Sequence, residues 1–134
     1  MLYLSRKSEF SATHTYNNPR WNKEKNRKIF GKCNNPNGHG HDYKLEVMVR
    51  GTLNLSSGIV VNTADIKQIV NRFLAEELDG KFLDREHPFF IKNIPTTENI
   101  VNYIWESLKP QFKGCELYRL RLYENHYLSA ERKI

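Results

Sequence analysis

The stretch Cys33-Asn34-Asn35-Pro36-Asn37-Gly38-His39-Gly40-His41-Asp42-Tyr43-Lys44-Leu45-Glu46-Val47-Met48-Val49-Arg50 decides most of what this chain can be. From His39 onward, His39, His41, Tyr43, Leu45, Val47 and Val49 alternate with Asp42, Lys44, Glu46, Met48 and Arg50. That two-residue period marks a half-buried strand. Residues two apart on a strand point the same way, so His39 and His41 present their imidazoles side by side. Gly38 and Gly40 remove side chains next to them, which lets a ligand or another backbone approach closely.

On the N-terminal side, Leu2, Leu4, Phe10, Ala12 and His14 share one face of a second strand, Leu2 to His14, with His14 at its inward-facing end. Asn17 to Asn37 is polar, carries Pro19 and Pro36 with a cluster of Lys and Arg, and reads as a long loop with a helical turn around Asn22 to Lys28. On the C-terminal side, Gly51 and Ser57-Gly58 mark turns around a short strand, Ile59-Val60-Val61. Asn62 or Thr63 then caps a helix whose stripe is Ile66, Ile69, Val70, Phe73 and Leu74. A second loop, Asp79 to Pro95, leads to a helix opened by Thr96-Thr97-Glu98, with Ile100, Val101, Ile104, Trp105 and Leu108 on its apolar face and Pro110 helping to end it. Leu117 to Glu124 and Tyr127 to Glu131 form a hairpin around Asn125-His126. The order β-β-(β)-α-α-β-β predicts an α+β fold, antiparallel hairpins with two helices on one face. Its open sheet edges predict association of identical chains.

At 134 residues the chain is one domain, 1–134, with no internal repeat. With 39% hydrophobic and 27% charged residues it is neither disordered nor linker-like, and no apolar run is long enough for a membrane span. The first ten residues carry Arg6, Lys7 and Glu9 and do not resemble a signal peptide. Cys33 and Cys115 cannot make a disulfide framework, so a reducing, cytoplasmic setting is expected. The net charge of +6 admits a nucleic acid, an acidic membrane surface or an anionic small molecule as partner.

Three neutral imidazoles, from His14, His39 and His41, are a familiar ligand set for a catalytic zinc ion. The alternative is three ordinary strand histidines. Cys33 either closes such a site as a fourth ligand or stands beside it as a nucleophile or base, with Lys32 favouring its thiolate. Cys115 reads as a small core residue. The basic loop Arg20-Trp21-Asn22-Lys23-Glu24-Lys25-Asn26-Arg27-Lys28 invites nucleic acid, but no recognised nucleic-acid signature accompanies it. Glu124, on the face of Leu120 and Leu122, is a carboxylate at an otherwise apolar position. Two adjacent N–H donors of a planar heterocycle, such as a guanine or pterin ring, would satisfy it; a turn toward solvent is the alternative.

Phe10-Ser11-Ala12-Thr13-His14, Phe30-Gly31-Lys32-Cys33 through His41, Thr96-Thr97-Glu98-Asn99 and Leu122-Tyr123-Glu124 resemble, in order and spacing, the 6-pyruvoyl-tetrahydropterin synthase family. The resemblance implies the tunnelling fold: a four-stranded antiparallel sheet with two helices, a trimeric barrel, and two trimers stacked as a hexamer with active sites at subunit interfaces. It implies Zn²⁺ on His14, His39 and His41, Cys33 as catalytic base, Glu124 as anchor of the pterin ring, and Thr96, Thr97 and Glu98 lining the pocket. The implied substrate is dihydroneopterin triphosphate, whose charge accounts for the basic surface better than nucleic acid does. Family members follow the second loop's Leu-Asp with His, giving a Cys-Asp-His relay. Here Leu78-Asp79-Gly80 lacks that histidine, leaving Asp79, with His87 or His126 as stand-ins, or else a pterin-binding relative of weak activity. The five residues between Cys33 and His39 favour the pyruvoyl enzyme over the 6-carboxytetrahydropterin synthases of the queuosine route, which more often have three.

Overall fold

The computed structural model describes residues 1–134. Strands β1 (Leu2–His14) and β2 (His39–Gly51) pair antiparallel along their whole length, with Phe10 opposite Tyr43, Ala12 opposite His41 and His14 opposite His39. Between them lie α1 (Lys23–Phe30) and a 3₁₀ turn, Gly31–Asn34. Then come α2 (Thr63–Glu77), β3 (Lys81–Phe82), α3 (Leu83–Glu86), α4 (Pro88–Lys92), α5 (Thr97–Leu108), β4 (Glu116–Tyr123) and β5 (Ser129–Lys133). The sheet order is β3-β1-β2-β4-β5. Every pair is antiparallel except β3, which runs parallel to β1.

The expected α+β class holds, with two corrections. The sheet has five strands and is mixed, because Lys81 and Phe82 add a short parallel edge against Ala12 and Thr13. A two-residue strand has no periodicity to read. The strand expected at Ile59-Val60-Val61 does not form; this segment is irregular. The polar loop Asn17 to Asn37 is partly helical, with the Asn22 side chain capping α1 by accepting from the Lys25 amide.

The inward faces of β1, β2 and β4 and the apolar stripes of α2 and α5 make one core. Tyr43, Leu45, Val47 and Val49 meet Leu117, Leu120 and Leu122 across the β2–β4 pair, under Ile66, Val70, Phe73 and Leu74 of α2 and Ile100, Ile104 and Leu108 of α5. Asn62 and Thr96 cap the two long helices by accepting from the amides of Ala64 and Asn99. Toward the other end of the β1–β2 pair the same inward face passes from apolar residues to His14, His39 and His41. Gly38, just ahead of β2, has φ 75°. A Cβ there would stand 2.6 Å from Cζ of Phe82 and 3.1 Å from the carbonyl oxygen of His14. Only a residue without a side chain lets this turn lie so close to β1 and β3.

Candidate active site

The β1–β2 register sets the three histidines on one face, and β4 brings Glu124 to them just past its last residue. His14 is fully buried. Its Nδ1 lies 3.0 Å from the Tyr43 hydroxyl, while its Nε2 is buried without a hydrogen-bond partner, 3.8 Å from Oε1 of Glu124. His41 Nε2 lies 3.5 Å from the same oxygen. Donor atoms of His14, His41 and Glu124 all fall within 4.8 Å of one another. Ligands at about 2.0–2.1 Å from a tetrahedral zinc ion stand about 3.3–3.4 Å apart, so this spacing suits one ion. In the tautomer whose Nδ1–H donates to the Tyr43 oxygen, Nε2 keeps its lone pair and turns it into the cluster. Burial, and then the neighbouring His41 and His39, push the His14 pKa down to about 3, so the ring stays neutral as a ligand must.

His39 stands apart. Its ring centroid is 6.1 Å from that of His14 and 6.3 Å from that of His41, against 4.9 Å between His14 and His41. The structure converges on two histidines and a carboxylate where the sequence pointed to three histidines. The shared strand face is as expected; the direction of the His39 ring was not legible from alternation.

Tyr16, two residues past His14, is the group that sequence reasoning missed here. Its ring stacks on His14 with centroids 4.6 Å apart, and its hydroxyl donates to Glu124 across 3.3 Å. Burial first, and then the charge of Glu124, raise its pKa well above the usual phenol value, so it remains a donor. Tyr16 continues the two-residue spacing of Phe10, Ala12 and His14 just past the end of β1, and that spacing was the available signal.

Cys33 is half-buried in the 3₁₀ turn, tied to the site by the Tyr16 amide, which donates to the Cys33 carbonyl at 2.8 Å. Burial and the negative charge of Glu124 push its thiol up, so the protein's own groups disfavour the thiolate expected beside Lys32. Thr97 is buried with its hydroxyl unpartnered, next to the Tyr16 phenol. Thr96 uses its hydroxyl as the α5 cap, and Glu98 is exposed in the first turn of that helix.

The structure does not bring Asp79 or His87 into this cluster. Asp79 accepts the backbone amide of Ser11 at 2.9 Å and lines a separate cleft with Arg6, Lys7 and Asn71. Gly80 has φ 75° and donates to the Ser11 carbonyl at 2.7 Å. That left-handed backbone favours glycine, although a side chain there would meet nothing within 4 Å. His87, expected in a surface loop, is buried. Its ring lies 4.9 Å from those of Phe90 and Tyr103, and its Nδ1 accepts the Phe89 amide to cap α4. His126 is exposed and shares a cleft of about 510 Å³ with His41 and Glu124.

The fold and this inward cluster define a small α+β domain carrying a histidine–carboxylate group that could hold a metal ion, with a half-buried cysteine nearby. The 6-pyruvoyl tetrahydropterin synthase family matches residues 3–133, and the chain belongs to that family. It is 42% identical over 121 residues to the 6-pyruvoyl tetrahydrobiopterin synthase of Homo sapiens, covering 90% of this chain and 83% of that one. To the same-named protein of Drosophila melanogaster it is 37% identical over 125 residues, 92% of this chain and 74% of the other. The structure of Caenorhabditis elegans 6-pyruvoyl tetrahydropterin synthase superposes with a TM-score of 0.93 at 32% identity, covering 99% of this chain and 95% of that one. No helix is long and apolar enough to cross a membrane.

Proposed function

We propose that this chain is a zinc-dependent lyase converting 7,8-dihydroneopterin triphosphate to 6-pyruvoyltetrahydropterin with release of triphosphate. The observation that carries it is the buried, unpartnered Nε2 of His14 facing His41 and Glu124. A family whose relatives are named for this activity supports it. His14 and His41 would hold the ion, with His39, on the same strand face, as third nitrogen. Bound there, zinc supplies Lewis acidity to oxygens on the substrate's side chain and a positive charge that favours a thiolate at Cys33.

The protein's own groups supply the rest. Glu124, held by the Tyr16 hydroxyl, accepts the adjacent N–H donors of the pterin ring, and the unpartnered Thr97 hydroxyl offers one more contact. Cys33 removes a proton from the side chain; a thiol pushed up by burial makes a strong base once deprotonated. Thr96 and Glu98 flank the pocket from the α5 N-terminus. The outer edge of β1 beyond β3 and the free edge of β5 support assembly into trimers and a hexamer, with cytoplasmic residence.

Incubation of purified protein with dihydroneopterin triphosphate, followed by mass spectrometry, tests this. The pyruvoyl product supports it. The 6-carboxy product instead assigns the queuosine-route activity, and pterin binding without turnover assigns a weakly active relative. One alternative ligand set is favoured by the observed distances, with Glu124 rather than His39 as the third donor. Glu124→Gln decides between them: zinc retained with pterin affinity lost supports the pterin anchor, and zinc lost supports the ligand.

A further inference from the structure

Arg85 lies on α3, outside the histidine cluster, and its guanidinium reaches back to the turn that precedes β2. Its Nη2 donates to the Pro36 carbonyl, and its Cζ sits 3.9 Å from the centre of the Phe82 ring. Phe82 in turn puts its Cζ where a Cβ on Gly38 would fall. One side chain therefore reaches both ends of the turn, directly at Pro36 and through Phe82 at Gly38. Arg50, Arg119, Arg121 and Arg132 pair with Glu116, Glu46, Glu131 and Glu106, whereas Arg85 makes no ion pair. Its donors are spent on the turn.

Pro36 stands midway between Cys33 and His39 in the chain. Upstream of it, the end of β1 holds the cysteine-bearing segment. The Tyr16 amide donates to the Cys33 carbonyl, the Asn34 side chain to the Tyr16 carbonyl at 2.7 Å, and the Thr15 hydroxyl to the Asn35 carbonyl at 3.0 Å. Downstream, the amides of Asn37 and Gly38 both bond back to Asn35, at 2.9 Å each, so the turn closes only on itself. The bond from Arg85 is what ties it to another element. That element is itself fixed to β1, because Asp84 Oδ1 accepts the Thr15 amide at 2.8 Å. The end of β1, α3 and the turn thus form a closed ring of contacts around the loop that carries Cys33.

We propose that Arg85 is a positioning residue for Cys33, holding the Pro36–Gly38 turn against β3 and α3 so that the thiol keeps its place beside the histidine face. It acts through the Pro36 carbonyl and the Phe82 ring, and its effect on turnover rests on the lyase function above. Arginine suits the task because a guanidinium stacks on an aromatic face and donates in its own plane at once.

Arg85→Met keeps an unbranched stem over Phe82 and removes the donors; the side chain is exposed, so the variant should fold like the parent. With dihydroneopterin triphosphate, kcat should fall about tenfold while KM stays within about twofold, because the substrate is still bound but the base is misplaced. Iodoacetamide labelling, read peptide by peptide in a mass spectrometer, needs no turnover. Cys33 should react about fivefold faster in Arg85→Met as its loop loosens, and Cys115, also half-buried but at the start of β4, should keep the parent rate. Arg85→Lys restores a donor for Pro36 and should return kcat to within about threefold of the parent. An unchanged kcat in Arg85→Met, a rise in KM in place of the fall in kcat, equal acceleration of both cysteines, or a lysine variant no better than the methionine one overturns the assignment. A parent that does not turn over the pterin sinks the lyase function instead. The labelling rates then decide the positioning claim alone, and a parent-like rate at Cys33 ends it.

Discussion

Two buried histidines in this molecule have nearly the same neighbours and different roles. His14 has Nε2 3.8 Å from a Glu124 oxygen, and that carboxylate accepts from the Tyr16 hydroxyl. His87 has Nε2 3.8 Å from a Glu77 oxygen, and that carboxylate accepts from the Tyr103 hydroxyl at 2.8 Å. Both Nε2 atoms are buried without a hydrogen bond, and burial lowers both pKa values. What differs is the company on the remaining side. A second imidazole, His41, faces the same carboxylate as His14, and a cleft opens beside it. His87 meets aromatic rings and spends its Nδ1 on the backbone of α4. A histidine, a glutamate and a tyrosine together are therefore no site; convergence of donors at an accessible point makes one.

The largest effect expected is on turnover. Cys33→Ala should lower it by about a thousandfold while zinc content, read by atomic emission, stays at the parent level. Zinc lost along with turnover would move Cys33 into the ligand set. Next, His14→Ala should empty the protein of zinc and His87→Ala should not; equal zinc loss in both would erase the distinction drawn above. His87→Ala should instead cost about 1–2 kcal/mol through the lost α4 cap and packing, read by urea denaturation.

Acid sharpens the contrast further. Folding lowers the His14 pKa from 6.5 to about 3, so below pH 6.5 the unfolded chain holds the extra proton and stability falls as pH drops toward 3. For metal-free protein this single group should remove about 2 kcal/mol between pH 7 and pH 5. His87, also lowered by burial, should add in the same direction. Denaturation midpoints that do not move over this range would contradict the burial of both rings. The smallest effect belongs to Tyr103→Phe, which removes the hydroxyl on Glu77 at a cost of about 1 kcal/mol and leaves turnover unchanged.

The frame was legible because its elements have strong periods. Tyr43, Leu45, Val47 and Val49 lie inward as their alternation requires, and all five apolar residues expected on the last long helix are buried in α5. Ile59-Val60-Val61 shows the limit. Three β-branched residues look like a strand, yet Val60 is used instead to pack against Gly51 at the end of β2. At the site, alternation placed His14, His39 and His41 on one face and Glu124 on the face of Leu120 and Leu122. Ring rotation is not encoded in that period, so the greater distance of the His39 ring from the other two was invisible. The fate of His87 was equally so, because its burial comes from α3, α4 and α5 folding over it, and the sequence around it reads only as loop.

The absent side chain at Gly38 carries a consequence for the imidazoles themselves. With Phe82 and the His14 carbonyl where a methyl group would fall, any substitution would push the turn ahead of β2 away from β1 and β3. The approach of His39, the next residue along, to its strand partner His14 thus depends on a residue with no side chain. The spacing of the paired histidine-bearing residues rests on what one position leaves out.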